Sequence, residues 1–200
     1  MKKIIAIFFA VIVMAAAFVG CNPSTNDTVS MTEEERARAF AEEQVKKAVD
    51  VINAAFAEEV AGDPTTKLNT ILADVKAAYA EDADYSDFLL NYLTPLDVDM
   101  FADVYLVDKA NIEAVVAEMS MMGANIDRFV GVKAVEGKGA EVEAALKAFY
   151  ENDKANLAWY PQNAAKTEAA KIIAHGDYVF YVILGNNPPM ETEADNGDEL

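Results

Sequence analysis

The sequence is poor in the side chains on which most catalysis and metal binding depend. Its 200 residues include one cysteine (Cys21), one histidine (His175) and one tryptophan (Trp159). A single cysteine cannot form an internal disulfide. One histidine and one cysteine are too few side chains for the usual zinc site, which takes four ligands, mostly from these two residue types. We therefore predict no cofactor and no metal ion.

Motifs that would reveal a nucleophile or a phosphate site are also missing. A serine hydrolase needs a base beside its nucleophile, and none of the four serines lies in a G-x-S-x-G motif: Ser24, Ser30, Ser86 and Ser120. The segment Gly137-Lys138-Gly139 lacks the spacing of a phosphate-binding loop. We interpret His175 as a residue that flanks a turn, and not as a catalytic base. We predict no catalytic residue.

Basic residues are scarce as well. The chain has 16 Lys and Arg against 34 Asp and Glu, a formal net charge of −18. Residues 1–20 contain two lysines and no acid, so the remainder keeps 14 basic and 34 acidic residues, a charge of −20. Such a surface repels nucleic acid phosphates and anionic lipid headgroups. We predict that the protein binds no nucleic acid and does not dock on a membrane through its protein surface.

The N-terminal segment has the pattern of a bacterial lipoprotein signal. Lys2 and Lys3 precede an uncharged apolar run over residues 4–19, and Gly20-Cys21 ends it before a polar stretch. An ordinary signal peptide has a shorter apolar run and an A-x-A-like cleavage site, and a spanning helix wants about 20 apolar residues. Length alone leaves both alternatives open, but the position of the only cysteine favours lipidation of Cys21. The predicted location is extracytoplasmic, anchored to the cell membrane by this lipid.

The rest of the chain divides by composition. We predict a signal peptide at 1–20, a flexible tether at 21–31, a lead helix at 32–62 and an α+β domain at 65–186. Residues 187–200 form a predicted disordered tail, because residues 190–200 hold five acids and no base.

Apolar spacing and end signals predict four helices. Thr32 and Glu35 form a capping box for the first helix, and Gly62-Asp63-Pro64 ends it. Its apolar stripe consists of Phe40, Val45, Val49, Ile52, Phe56 and Val60. We expect this helix to pack on its own domain, although a partner-binding stalk is an alternative. A second helix covers 66–79, with an apolar face of Leu68, Ile71, Leu72, Val75 and Tyr79. A third covers 141–157, with Val142, Leu146, Phe149 and Tyr150 buried, and Pro161 opens a short fourth over 162–170.

Strand patterns follow in the second half. Residues 112–119 and 128–135 are predicted to pair antiparallel. Residues 171–175 and 178–184 flank Gly176-Asp177, which fits a type II′ hairpin turn. The last run is apolar at almost every position, which indicates a strand covered on both faces. The predicted fold class is α+β: an antiparallel sheet with a C-terminal β-hairpin packed by helices, preceded by an N-terminal helix.

Three features invite a functional interpretation. Residues 96–107 fit no single element. The nearby acids Asp97, Asp99, Asp103 and Asp108 lack the glycine and ligand spacing of a calcium loop. We interpret them as helix caps and solvated carboxylates, and a metal site is the alternative. Met121 and Met122 are predicted to fill the core. Trp159 and Tyr160 could stack on a ligand, and packing between a helix and the sheet is the alternative.

Four short motifs in the second half resemble a family of bacterial lipoproteins catalogued as domain of unknown function 4358. They are AEMSMM (117–122), FVGVKA (129–134), WYP (159–161) and GDYVF (176–180). The resemblance covers about residues 68–184, departs from the family pattern at 156–158, and leaves the lead helix as an addition. It implies an extracytoplasmic lipoprotein with an antiparallel α+β domain, and it implies no activity.

These observations predict a lipid-anchored extracytoplasmic binding or interaction module of the bacterial cell envelope. Its partners are the membrane, through the lipid on Cys21, and an unidentified envelope protein or ligand. The alternative is a carboxylate-dependent hydrolase acting on cell-wall material, since 34 acids offer many pairs. An accessory lipoprotein with a purely scaffolding role is a third reading.

Overall fold

The computed structural model describes residues 31–57, 62–83, 85–86, 90–122, 124–156 and 161–188. Its helices of more than one turn are α1 (Glu33–Ala54), α2 (Pro64–Ala77), α3 (Val98–Tyr105), α4 (Gly139–Asn156) and α5 (Pro161–Ala169). Its strands are β1 (Thr94–Leu96), β2 (Ile112–Met119), β3 (Arg128–Ala134), β4 (Lys171–His175) and β5 (Tyr178–Ile183). None of the helices described here is both long and apolar enough to cross a membrane.

The strands form one antiparallel sheet in the order β1-β2-β3-β5-β4. The predicted pairing of β2 with β3 is confirmed, and so is the hairpin of β4 and β5, in which His175 pairs with Tyr178. Gly176 has a φ of +60° and Asp177 is not among the residues with positive φ. A positive φ at only the first central residue is the requirement of a type II′ turn, so this prediction is confirmed.

Helices cover both faces of the sheet, which gives three layers. Side chains of β5 alternate between two hydrophobic clusters: Phe180 and Val182 face the cluster of α1, α2 and α5, and Val179, Tyr181 and Ile183 face that of α3 and α4. Because period-two alternation sends successive side chains to opposite faces, a strand that is apolar at every position must be covered twice. The predicted α+β fold and its doubly covered strand are confirmed.

The first helix begins as predicted and ends earlier. The Glu35 backbone N–H donates to the Thr32 hydroxyl at 3.2 Å, and the Thr32 N–H donates to the Glu35 carboxylate at 2.8 Å. The prediction that α1 continues to Gly62 is wrong: it ends at Ala54, where tight turns bring the Phe56 N–H to the Asn53 carbonyl.

The stripe that α1 buries is also centred elsewhere than predicted. Phe40 and Val49 are only half-buried, and the fully buried positions are Ala41, Val45, Ala48 and Ile52. Small alanines let α1 approach its neighbours closely, and Val45 and Ile52 complete a stripe at spacings of four, three and four residues. The helix packs in the same cluster as α2, α5 and the sheet, which confirms the expectation that it packs on its own domain.

The end of β5 touches α1 through backbone. Gly185 has a φ of +128°, and a Cβ at this position would lie 2.3 Å from the Cβ of Gln44. The Gly185 N–H donates to the Tyr85 hydroxyl at 2.8 Å. A residue with a side chain would therefore meet both a backbone conformation that favours glycine and a direct clash.

The remaining helices follow the predicted faces closely. All five predicted apolar residues of α2, including Tyr79 just beyond its end, are buried. In α4, Val142 and Leu146 are buried, and Phe149 and Tyr150 pack against the same cluster. The fourth predicted helix exists as α5 and begins at Pro161.

Candidate functional site

The predicted site residues fall mostly on parts of the chain that the structure leaves undescribed. Cys21, Trp159 and Tyr160 lie outside the described residues, and so do the predicted signal peptide and the predicted disordered tail beyond residue 188. Of the residues weighed as catalytic candidates, His175, Ser86 and Ser120 lie within the described ranges.

His175 is the last residue of β4 and connects the hairpin to the end of α1. Its ring stacks on Phe56, with centroids 4.4 Å apart and planes at 6°. Its Nε2 donates to the Asn53 side-chain carbonyl at 3.1 Å. The Lys67 ammonium lies 3.8 Å from the Phe56 centroid. His175 pairs with Tyr178 across the two-residue turn Gly176-Asp177, so it flanks a turn, as predicted.

Two buried ion pairs lie at the start of β3, one on each face of the sheet. On the face of α1, α2 and α5, Asp127 is fully buried and pairs with Lys166 of α5, which is 4% exposed. Burial raises the pKa of Asp127, and the charge of Lys166 opposes this rise. Tyr85 lies against the same carboxylate, and burial raises the pKa of its phenol as well.

The second pair lies on the face of α3 and α4. Arg128 Nη1 is 2.8 Å from Asp153 Oδ2, and the Tyr181 hydroxyl donates to the same oxygen at 3.1 Å. The guanidinium also lies 5.3 Å from the Phe149 ring centroid. Burial raises the pKa of Asp153, against the effect of Arg128.

These two carboxylates do not form a hydrolytic pair with each other. Asp127 and Asp153 contact opposite faces of one sheet, and each is matched with its own cation. A glycosidase needs two carboxylates that flank one bond of one substrate. Their arrangement is typical of paired charges that hold elements in register inside a fold.

The acids around α3 are caps and surface charges, as predicted. Asp97 accepts from the Met100 N–H at 2.8 Å and caps α3, while Asp108 accepts from the Ala110 N–H at 2.9 Å. Asp99 pairs with Lys109. Within the described ranges, no group of three or more acids, histidines or cysteines is placed to hold a metal ion.

An exposed apolar surface lies on and just after α3. Phe101, Ala102 and Tyr105 fill the core, while four other apolar residues of this segment are exposed: Val98, Met100, Val104 and Leu106. We call these four residues the α3 surface. Leu106 is 82% exposed. Met100 and Val104 lie four residues apart on one side of α3, and neighbouring exposed apolar residues often mark an interaction site.

Leu106 also has an unfavourable backbone. Its φ of 54° and ψ of 37° are left-handed, and among the described residues no other non-glycine has a positive φ. This is the position after a helix where glycine is preferred. A leucine here bears the steric cost of its Cβ and gains little burial in return.

The two methionines of the β2–β3 connection are exposed, so the prediction that they fill the core is wrong. Met121 is 66% and Met122 is 44% exposed. They follow Met119, which pairs with Arg128 at the end of β2. Because β2 ends at Met119, both methionines lie in the connecting loop, beyond the last residue of the strand.

Comparison with known proteins places the second half of the chain in a family. Residues 86–184 match the sequence model of a family described as a domain of unknown function, DUF4358. This part of the chain is a DUF4358 domain. No curated protein and no solved structure matches the sequence. The resemblance recognised from short motifs is thereby confirmed as to the family.

The DUF4358 domain contains all five described strands, α3, α4 and α5. Helices α1 and α2 lie outside the matched range, yet together with α5 they cover one face of its sheet. The α3 surface and both buried ion pairs lie inside the DUF4358 domain.

Sequence reasoning missed the α3 surface, although a signal was present. Residues 98–107 of the DUF4358 domain contain eight apolar side chains and two acids. A short helix on a sheet buries one stripe of about 100°, so a segment with so many apolar residues must expose some of them. The buried ion pairs gave no local signal, because their partners are far apart in sequence.

Proposed function

We propose that the protein is a lipid-anchored extracytoplasmic binding module of the bacterial cell envelope, which holds a partner protein against the α3 surface. The anchor is supported by sequence: two lysines, the apolar run 4–19 and the single Cys21 at its polar boundary. Two acyl chains give stable anchoring, because each buried methylene contributes about 0.8 kcal/mol.

The observation that carries the binding role is the exposed α3 surface. Leu106 combines an 82% exposed apolar side chain with a left-handed backbone. Folding alone favours glycine at this position, so the leucine is better accounted for by a contact with another molecule.

The anchor is tested by the variant Cys21→Ala. The sequence has no second cysteine, so labelled fatty acid should not enter the variant in growing cells. A Ser24→Ala variant is the matched control, because it alters the same polar stretch and keeps the thiol. Undiminished label in the Cys21 variant would refute the anchor.

The binding surface is tested by site-specific photo-crosslinking in intact cells. A photoreactive residue replaces Val104 on the α3 surface or, as control, Asn69, which is exposed on α2. We expect a discrete cross-linked species from position 104 and none from position 69. The same pattern of products from both positions, or none from position 104, would contradict a partner site at α3.

A further inference from the structure

We propose that the segment bound by the α3 surface is a basic amphipathic helix of the partner protein, with apolar side chains on one row and lysine or arginine on the row beside it. This inference rests on the proposed binding function and adds the chemistry of the partner.

The solvent-facing side of α3 has two parallel rows of opposite character. Met100 and Val104 are four residues apart and form an apolar row. Asp99 and Asp103 are also four residues apart and form the adjacent acidic row, since successive residues of a helix are rotated by about 100°. A helix that lies along α3 would place its apolar side chains on the first row and meet the second with its charges.

Acids continue the negative potential beyond the helix. Asp97 precedes α3 and Asp108 follows it, and both are exposed. Between residues 97 and 111 the only basic residue is Lys109, which already pairs with Asp99. A partner that covers the apolar row must therefore come close to four carboxylates that share the single charge of Lys109. Cationic side chains in the partner would be attracted to them.

Charge argues against the other possible occupants. A second copy of this chain brings the same acidic rows, and the formal net charge of each copy is −18. The chain's own C-terminal residues 190–200 contain five acids and no base. Anionic membranes and nucleic acids are repelled for the same reason. A cationic segment of another protein is the occupant that the local charge favours.

The size of the surface agrees with a short segment. Helix α3 has eight residues, which corresponds to about 12 Å of helix. A stable interface between two folded proteins buries about 800 Å² on each partner, more than two turns of one helix can offer. An amphipathic helix laid along α3 needs only a few anchor residues.

The test uses the full chain in neutral detergent micelles and a defined probe. The probe is a fluorescent 18-residue helix of leucine and lysine with one apolar face; a scrambled peptide of the same composition is the control probe, and empty micelles are the reference. Binding is followed by fluorescence anisotropy at low and at physiological salt. We expect saturable binding of the amphipathic probe and at least tenfold weaker binding of the scrambled one.

Charge variants locate the site. The double variant Asp99→Asn, Asp103→Asn should bind the probe about tenfold more weakly at low salt, with a smaller difference at high salt. The matched control is Glu42→Gln, Glu43→Gln, which removes two exposed acids from α1 on the opposite side of the sheet. It should change the affinity by less than twofold. Equal losses in the two double variants would overturn the proposal, because they would indicate diffuse attraction to an acidic protein.

A single variant guards against loss of local structure. Asp99 pairs with Lys109, so its replacement can disturb the start of α3, whereas Asp103→Asn leaves that pair intact. We expect Asp103→Asn to bind the probe about threefold more weakly while its thermal unfolding is unchanged. If position 104 cross-links a partner in cells but the probe fails to bind, the chemistry proposed for the partner is wrong and the binding function stands. If the probe binds and position 104 yields no cross-link, the binding function fails.

Discussion

At the scale of single residues, Leu106 combines a left-handed backbone conformation with an exposed apolar side chain. Its left-handed conformation costs an L-residue about 1–2 kcal/mol, and its side chain is almost fully exposed. We expect Leu106→Gly to raise the free energy of unfolding by about 0.5–1 kcal/mol in urea titrations, because glycine adopts this conformation without a clash and loses part of the gain to its freer unfolded chain.

Leu106→Ala is the matched control for that experiment. Alanine removes the exposed side chain but keeps the Cβ, so the strain remains and stability should hardly change. Both variants should weaken the cross-link from position 104. A large loss of stability in both would mean that Leu106 packs into the core, contrary to its exposure.

Each buried charge is compatible with a stable fold only because its partner is present. Arg128 would be very costly alone in an apolar layer, but Asp153 and the Tyr181 hydroxyl complete its surroundings. Removing one member of such a pair leaves an uncompensated charge. We infer that the two pairs fix the start of β3 against α5 on one face and against α4 on the other.

At the scale of elements, the sequence predicted what local chemistry determines. The capping box of α1, the apolar face of α2, the type II′ turn and the doubly covered β5 each depend on residues close together in the chain. The α+β class followed from the same patterns. The end of α1 was not predictable, because tight turns after Ala54 take Phe56 to His175, more than a hundred residues away.

Elements that depend on distant contacts were not predicted. Helix α3 lies in a segment that fitted no single element, because its eight residues carry apolar side chains on both its buried and its exposed sides. Each ion pair joins an acid and a base that are 25 or more residues apart, Asp153 with Arg128 and Asp127 with Lys166. The apolar periodicity of one segment does not indicate which residues of another segment will contact it.

At the scale of the whole molecule, α1 and α2 are integral to the fold although they lie outside the family match. Together with α5 they cover one face of the DUF4358 sheet, and Gly185, just after β5, contacts Gln44 of α1 so closely that no Cβ would fit. The Tyr79 hydroxyl donates to the Gln44 carbonyl at 2.8 Å. The DUF4358 domain of this protein therefore depends on the preceding helices for a closed core.

The buried tyrosines of the core also make the free energy of unfolding decrease at alkaline pH. Burial raises the pKa of Tyr105 to about 12, against about 10 for an exposed tyrosine, and burial raises the pKa values of three further tyrosines in the same direction: Tyr79, Tyr85 and Tyr181. Since the folded state binds these protons more tightly than the unfolded state, this contribution to stability is complete below pH 10. It is lost as the pH rises from about 10 through 12.

We therefore expect the buried tyrosines to ionise only as the protein unfolds. Tyrosinate absorbance at 295 nm and far-ultraviolet circular dichroism, recorded together from pH 8 to 12.5, should show a late rise in absorbance that coincides with the loss of helix signal. In guanidinium, where the chain is unfolded and no tyrosine is buried, all the phenols should ionise in one step near pH 10. In the variant Tyr105→Phe, stability should fall less steeply between pH 10 and 12, because one phenol whose proton is bound more tightly in the folded state has been removed. If all the tyrosinate absorbance appeared near pH 10 while the dichroism stayed native, the phenols would be in contact with water, and the three-layer packing around β5 would be wrong.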